Sequence, residues 1–412
     1  MVEVEQRLCS RRVADLPVAV GRAAAAAGLA ARIPRGGRIG ITVGSRGIAN
    51  LAAITRALVD QVNAAGGRPF VIPAMGSHGG AAAKGQTAVL ASLGVTPHAV
   101  GAPIRASMAV SRIGETLAGT PVYVSQEALR ADGVIVMNRV KQHTDFVGHY
   151  ESGLVKMLAV GLGKREGAAA MHSRRCVGLR EDVSEAARLI LQRARVLAGI
   201  AILENGYNET ADIAGIPPER ILDEEPGLLN RARRMAGRIL LPEIDLLLVD
   251  RIGKDISGIG MDTHVICRRM IWDEPEFRGA RIHLIAALDL SEGSHGNALG
   301  IGLADLTTDR LLGKLDMAVL KSNVLHTGWL NRAKIPLAFP NDRALLAAAL
   351  VALAHPAPDQ VRIVRIPDTL HLRRIWVSEA LLPAIEANPR LKAVGQLRPM
   401  RFDRAGNLVW PA

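Results

Sequence analysis

Residues 138–173 concentrate the side chains that could transfer protons or hold a metal. The segment reads NRVKQHTDFVGHYESGLVKMLAVGLGKREGAAAMHS and holds three of the nine lysines and three of the eleven histidines. Histidine exchanges protons near neutral pH and is a common ligand of divalent nickel. A lysine amine among apolar neighbours can lose its proton and act as a nucleophile or attachment point. Lys156 is the candidate for that role, with His143, His149 and His172 as candidate proton carriers or ligands.

Each of these side chains has an ordinary structural explanation when it is taken alone. A lysine in an apolar helix can extend its amine to solvent along its aliphatic stem. A single histidine is more often a hydrogen-bonded structural residue than a ligand. It is their grouping within 36 residues that indicates a reaction centre.

Short apolar runs alternate with helical patterns along the chain, which predicts an α/β fold with mostly parallel sheets flanked by helices. Helical spacing of apolar residues is found at 21–32, 48–65 and 81–93. Buried strands are predicted at 38–43, 69–74, 133–138, 199–205, 244–250, 281–290 and 361–367.

A polar stretch at 207–240, punctuated by proline and glycine, separates two halves of this pattern. We therefore predict an N-terminal α/β domain at 1–230 and a C-terminal α/β domain at 240–412. The active site is expected in the cleft between them.

Polar residues follow the predicted strands of the first half. Ser45 and Arg46 come after one strand, Ser77 and His78 after the next, and His143 after the third. Open α/β sheets bind ligands at the carboxyl ends of their strands, so these residues are expected to face one site.

The composition bears on partners and location. The chain has 412 residues and a formal net charge of +12, but its 42 arginines and 9 lysines are scattered and only 3% of its residues are aromatic. That pattern argues against nucleic-acid binding. The three isolated cysteines form no disulfide or metal pattern, and no apolar run reaches the length of a membrane span. The N-terminus lacks the apolar core of a signal peptide, which predicts a cytoplasmic protein.

The motifs resemble those of the nickel-pincer lactate racemase family. That family has a histidine in a loop, a lysine in a Gly-rich helix start and a further histidine sixteen residues later. His143, Lys156 and His172 match this order and this last interval. Gly76-Ser77-His78 resembles the family's Gly-x-His loop, and Ser45-Arg46 resembles its Thr-Arg pair. The resemblance covers most of the first 175 residues.

The resemblance implies a covalent cofactor, the nickel-pincer nucleotide. Lys156 would be joined through a thioamide to a pyridinium mononucleotide that holds nickel by two sulfurs and one ring carbon. His172 would complete a roughly square-planar nickel, and Ser45 would be a further cofactor contact. In the family, this cofactor accepts a hydride from the carbinol carbon of the substrate and returns it to either face.

The resemblance also implies how the substrate is handled. His78 and His143 would be paired general bases on opposite faces of a keto-acid intermediate. Arg46 would clamp the carboxylate, and Lys254 is the nearest polar candidate for a late substrate contact. The protein is then expected to be an isomerase, a racemase or epimerase of a 2-hydroxy acid, that depends on the enzymes which make the cofactor.

The sequence departs from the family pattern around these residues. The pattern often carries an acidic residue shortly before the Thr-Arg pair, where this chain reads Val43-Gly44. The interval from His143 to Lys156 is longer than in lactate racemase, through the polar segment 148–152. Because that segment adds polar groups near the centre, together with Arg139, Lys141 and Lys254, we expect a substrate larger and more polar than lactate.

Two other classes of function remain open at the level of sequence. A nicotinamide-dependent dehydrogenase would use the same kind of fold, but no GxGxxG follows the first strands with an acidic residue about twenty positions on. A non-catalytic protein that binds anionic metabolites would suit the basic balance.

Overall fold

The computed structural model describes residues 1–45, 47–272, 274–354 and 357–409, without the side chains of His326 and Pro358. Contacts divide the chain into two compact units. The first unit is Arg11–Ala236, and the second unit is Met1–Ser10 with Gly237–Ala412.

The first ten residues differ from the predicted domain assignment. Strand β1 (Val2–Gln6) opens the chain and pairs with strands of the C-terminal half. Residues 1–10, which we had placed in the N-terminal domain, therefore lie in the second unit. The boundary between the units falls between Ala236 and Gly237.

The first unit is built on a five-stranded sheet in the order β3-β2-β6-β7-β8. All neighbours are parallel except the pair β7 and β8, which is antiparallel. A separate antiparallel hairpin is formed by β4 and β5. The strands are β2 (Arg38–Val43), β3 (Arg68–Pro73), β4 (Val110–Glu115), β5 (Pro121–Ser125), β6 (Gly133–Arg139), β7 (Val196–Glu204) and β8 (Thr210–Ile216).

Helices flank this sheet and bury their apolar faces. In α3, Leu51, Ile54, Leu58 and Val62 are buried, as their helical spacing predicts. The helices are α1 (Leu16–Ala26), α2 (Leu29–Arg32), α3 (Leu51–Ala64), α4 (Ala83–Ser92), α5 (Pro97–Val100), α6 (Gln126–Leu129), α7 (Leu154–Lys156), α8 (Lys164–His172), α9 (Arg175–Arg180), α10 (Asp182–Arg193) and α11 (Ile221–Met235).

The first helix begins earlier than its apolar pattern predicted. Asp15 accepts a hydrogen bond from the backbone N–H of Val18 at 2.9 Å, so α1 begins at Leu16 rather than near residue 21. Gly28, with φ +64°, then interrupts the helix before α2, inside the range 21–32 that was predicted as one helix.

The stretch at 207–240 is more ordered than a linker. It contains β8 and α11, and Pro226 lies inside α11. Proline lacks the N–H that would bond to the Leu222 carbonyl one turn earlier. The Tyr150 hydroxyl donates to that carbonyl at 2.8 Å, which satisfies it and lets the helix continue.

The second unit has a mixed eight-stranded sheet in the order β12-β11-β10-β9-β13-β14-β1-β15. The five strands from β12 to β13 are parallel, and the remaining neighbours are antiparallel. Its later strands are β9 (Glu243–Val249), β10 (Arg281–Ala287), β11 (Leu306–Thr308), β12 (Leu337–Phe339), β13 (Ile363–Ile366), β14 (Arg374–Val377) and β15 (Leu391–Ala393), and its helices are α12 (Asp309–Gly313), α13 (Met317–Thr327), α14 (Asp342–Ala352) and α15 (Leu382–Glu386).

The predicted fold class is confirmed: both units are α/β, with mostly parallel sheets flanked by helices. Within the described ranges, no helix is both long enough and apolar enough to cross a membrane.

Candidate active site

The loops that follow β2 and β3 meet at the carboxyl edge of the first sheet. Ser45 follows β2, His78 follows β3, and the Ser45 hydroxyl is hydrogen-bonded to Nδ1 of His78. Two residues that the sequence placed at strand ends are thus brought into contact. Arg46, the predicted carboxylate clamp, lies outside the described residues.

The loop after β6 brings His143 to Lys156. The Nζ atom of Lys156 lies 2.7 Å from Nε2 of His143, and the backbone N–H of Asp145 donates to Nδ1 of the same ring at 3.0 Å. Since Nδ1 accepts, the proton of a neutral ring is on Nε2 and faces the lysine. The two hydrogen bonds of the ring can therefore form together only if the Lys156 nitrogen accepts the Nε2 proton. An amine accepts a proton in this way when it is neutral, and the neutral amine is also the nucleophilic form.

The surroundings keep His143 neutral. Burial, first of all, lowers the pKa of His143 well below its usual range, and Lys156, His172 and Lys141, when protonated, lower that pKa further. The carboxylate of Asp145 opposes this shift. At neutral pH the ring is thus uncharged.

Glu225 holds the start of the helix that carries Lys156. Its buried carboxylate accepts from the backbone N–H of Val155 at 2.9 Å, and burial raises the pKa of Glu225 to about 7 against the lowering effect of this bond. A side chain at Gly153 would come within 2.2 Å of the carboxylate, so only glycine fits there. Asn138, near the end of β6, donates to the Gly153 carbonyl at 2.9 Å.

After Lys156 the helix widens into a π-helical turn at Met157–Gly161. The backbone N–H of Leu162 bonds to the Met157 carbonyl at 2.9 Å, five residues back. Such turns are uncommon and often occur at functional sites. The turn inserts one extra residue between the two positions that the sequence singled out, Lys156 and His172.

His172 ends α8 and is exposed. Its Nδ1 atom donates to the Ala168 carbonyl at 2.7 Å, so the lone pair of the neutral ring is on Nε2, the usual condition for binding a metal. Gly76, in the loop of His78, packs against Ala168: a side chain at Gly76 would lie 3.2 Å from the Ala168 methyl. The His78 loop and the His172 helix are therefore neighbours.

The other two lysines of the segment are differently placed. Lys141 pairs through its backbone with Ser152, at 2.8 and 3.1 Å. The Lys164 side chain is fully buried, and its Nζ bonds to the Pro73 carbonyl and to Oε1 of Gln86. Burial lowers the pKa of Lys164 to about 8. Its amine is enclosed by protein acceptors, which favours Lys156 as the reactive lysine.

The polar segment 148–152 does not offer its groups to a substrate in the way we expected. Glu151 is buried and accepts from the His143 backbone N–H at 2.6 Å, from the Gly148 N–H at 3.1 Å and from Arg233 at 2.5 Å. Tyr150 donates to α11, as described above. The inference of a larger, more polar substrate therefore loses this support, because these groups are satisfied within the protein.

Three further polar residues that supported the expectation of a more polar substrate also have defined surroundings. Arg139 is ion-paired with Glu204 at the end of β7, which leaves it occupied. His149 is exposed, with its ring edge-on to Tyr150 at 4.8 Å. Lys254 lies in the second unit, where its Nζ donates to the Gly258 carbonyl at 2.7 Å.

Sequence reasoning missed the residues that support the site from a distance. These residues are Glu225, Gln86 and Arg233, and each forms a hydrogen bond with a residue that is 10 to 82 positions away in the chain. In the second unit, the segment of Lys254 is joined to a later loop: Ser291 donates to the Asp255 carboxylate at 2.5 Å.

Residues 42–183 match the family model of the lactate racemase N-terminal domain. Over these residues the chain is similar to the lactate racemase family. Among solved structures it is similar to the lactate racemase apoprotein from Thermoanaerobacterium thermosaccharolyticum, with a TM-score of 0.51 and 11% identity over 90% of this chain and 99% of that one. At that identity the likeness concerns the fold alone. No curated protein matches the chain.

The matched residues include the whole of the segment from Ser45 to His172. In the part of the chain that the structure describes, no group of three or more His, Cys, Asp or Glu side chains could hold a metal ion.

Proposed function

We propose that the protein is a racemase or epimerase of a 2-hydroxy acid that depends on the nickel-pincer nucleotide. The observation that carries the proposal is the pair formed by Lys156 and His143, at 2.7 Å, within the matched domain. A neutral lysine amine, a neutral histidine base and a histidine with Nε2 as its metal-binding atom are the protein groups this chemistry needs.

The residues present fit the cofactor. Lys156 would hold the pyridinium mononucleotide through its amine, His172 would ligate nickel through Nε2, and Ser45 would contact the cofactor beside His78. When bound, the cofactor supplies reversible uptake of hydride from the carbinol carbon.

The work left to the protein is proton transfer and orientation. Interconversion of two enantiomers requires that the hydroxyl proton be taken and returned from either side, and His143 and His78 are the proposed bases. His143 is suited to this because its lowered pKa keeps the ring neutral, the protonation state that a general base requires. Arg46 and Lys254 are the proposed partners of the substrate carboxylate and its remaining polar groups.

The decisive experiment is the mass and metal content of protein co-expressed with enzymes that make the cofactor. We expect one added mass on the peptide that contains Lys156, one nickel per chain, and racemisation of a 2-hydroxy acid. Lys156→Ala should lose the added mass and the turnover, whereas Lys84→Ala, at an exposed lysine, should keep both. An adduct on Lys141 or Lys164 would overturn the anchor assignment.

The division of roles among the histidines is tested in the same preparation. His172→Ala should lose nickel together with turnover. His78→Ala and His143→Ala should keep nickel and lose about two or more orders of magnitude in rate, the usual contribution of a general base. Equal loss of nickel in all three variants would contradict the assignment.

A further inference from the structure

A buried polar network lies beneath the loop of His78. Lys164 and Gln86 are both fully buried, and the Lys164 Nζ donates to Oε1 of Gln86 at 3.1 Å. The Nε2 atom of Gln86 donates to the Gly76 carbonyl at 2.9 Å and to the His78 carbonyl at 3.4 Å. The network thus runs from the helix that ends at His172 to the backbone of His78 itself.

The lysine fixes which way the glutamine amide points. An ammonium group only donates, so the atom facing Lys164 must be the amide oxygen. The amide nitrogen is then turned toward the two carbonyls of the loop. Without Lys164 the amide could rotate by half a turn and present its oxygen to those carbonyls, which would repel it.

The backbone around the network is held in conformations that an unconstrained chain avoids. Lys164 has φ +54°, in the left-handed region that non-glycine residues rarely occupy. Gly79 and Gly85 touch so closely that a side chain on Gly85 would come within 1.9 Å of the Gly79 carbonyl. Backbone strain of this kind persists only where the surrounding contacts impose it, and it occurs often at active sites.

We propose that Lys164 and Gln86 are positioning residues that hold the loop 76–82 in the shape in which His78 reaches Ser45. The role of His78 as a base rests on the proposed function, whereas the control of its loop does not. Neither residue touches the reacting groups, so both act through the Gly76 and His78 carbonyls.

The sharpest test is Gln86→Glu, because it keeps the size and shape of the side chain. The carboxylate would still accept from Lys164 and would add a favourable ion pair, but it has no hydrogen to offer the loop carbonyls. If Gln86 served only to satisfy the buried lysine, this variant would be at least as well ordered as the parent. If it holds the loop, the loop loosens although the thermal unfolding midpoint is kept.

Hydrogen exchange of the cofactor-free protein, followed by mass spectrometry, reads this directly. In Gln86→Glu and Lys164→Met we expect peptides spanning 76–82 to exchange about tenfold faster or more, while the peptides of β6 and β7 keep their rates. The rate at which diethyl pyrocarbonate modifies His78 should change in parallel. Lys84→Met, an exposed lysine on the same helix as Gln86, is the matched control and should change neither.

The outcomes separate this inference from the proposed function. Unchanged exchange of 76–82 in Gln86→Glu overturns the positioning role, whatever the activity. Faster exchange with full turnover in the cofactor-loaded enzyme upholds the positioning role and removes His78 from the proposed mechanism. If Lys164→Met fails to fold, Gln86→Glu alone decides.

Discussion

The two histidines proposed as bases stand in contrasting surroundings. His143 is backed by buried carboxylates: Glu151 binds its backbone, and Glu225 caps the helix of its partner Lys156. His78 is exposed, lies in a loop of several glycines, and is supported from below by the neutral amide of Gln86. The His143 side is held by buried carboxyl groups. The His78 side is held by hydrogen bonds from the Gln86 amide and by close backbone packing.

The difference suits the role that we propose for each side. A covalent anchor needs a lysine amine held at one place in an environment that favours its neutral form. On the His143 side, burial disfavours charge on the ring of His143 and lowers its pKa. A base near solvent has no such need, and its loop can remain accessible while the backbone below it is held.

The largest effect is expected from removing Glu151 on the His143 side. Glu151→Ala would leave Arg233 without its carboxylate and two backbone N–H groups without their acceptor. We expect the free energy of unfolding to fall by about 2–4 kcal/mol, measured by urea denaturation. Glu181→Ala, which breaks the surface ion pair with Arg174, should cost less than about 1 kcal/mol. Equal costs would contradict the contrast between interior and surface charge.

The next effect is a dependence of the free energy of unfolding on pH, which we attribute to Glu225. Because its pKa is raised to about 7, the folded protein keeps a proton that the unfolded chain releases above its ordinary pKa near 4.5. Unfolding then releases a proton, so this group's contribution to stability falls as pH rises from about 4.5 to about 7 and is constant above. The loss is of the order of 3 kcal/mol.

Gln at position 225 does not titrate, so Glu225→Gln isolates that contribution. The difference in unfolding free energy between variant and parent should shift in favour of the variant as pH rises from 5 to 8, with the buffer and salt held constant. Carboxylates with lowered pKa values, such as Asp245 and Glu243, give the opposite slope in both proteins and cancel. A difference that is flat with pH would show that Glu225 is ionised throughout this range.

A smaller loss of stability is expected when a glycine on either side is replaced by alanine, and its physical cause differs between the His143 side and the His78 side. Gly153→Ala places a methyl group within 2.2 Å of the Glu225 carboxylate, and we expect a cost of about 1–3 kcal/mol from overpacking at ordinary backbone angles. Gly80→Ala meets no atom within 4 Å but has φ +65°, so its cost of about 1 kcal/mol comes from the backbone alone. Thermal unfolding of both variants measures the two costs. A greater loss in Gly80→Ala would reverse the order.

The sequence was informative where the signal was local. The strands at 38–43 and 133–138 match β2 and β6 closely because their apolar runs are buried on both faces of a parallel sheet. The positions of Ser45, His78 and His143 after strand ends could be predicted as well, because each follows a buried apolar run. In α11 the rule failed, since the proline that indicates a break is compensated by a hydroxyl from Tyr150, 72 residues away.

The supporting residues could not be predicted because their partners are distant in the chain. Glu225 reads as one acid among several at the start of α11, and nothing near it points to Val155. Gln86 is an uncharged residue in a small-residue helix. The pairing of the Glu151 carboxylate within the protein also depends on Arg233, which is 82 residues from Glu151. Tertiary contacts of this kind decide which polar groups remain for function.

The smallest effect on stability is expected from Ser45→Ala. The same substitution should change the tautomer balance of the His78 ring. The hydrogen bond from Ser45 to Nδ1 of His78 is exposed, so its removal should lower the unfolding free energy by less than about 1 kcal/mol. The ring itself should respond, because a partner at Nδ1 fixes which nitrogen carries the proton. Nitrogen-15 NMR of labelled histidine, with His78 identified by the loss of its signal in His78→Ala, should show the tautomer balance of that ring shifting in Ser45→Ala while His143 keeps its signal.

Since the Nδ1 atom of His143 accepts its hydrogen bond from the Asp145 backbone, no side-chain change at position 45 removes that bond. A shift of both rings would mean that the two sides of the site are coupled, and no shift of either would mean that Ser45 does not orient His78.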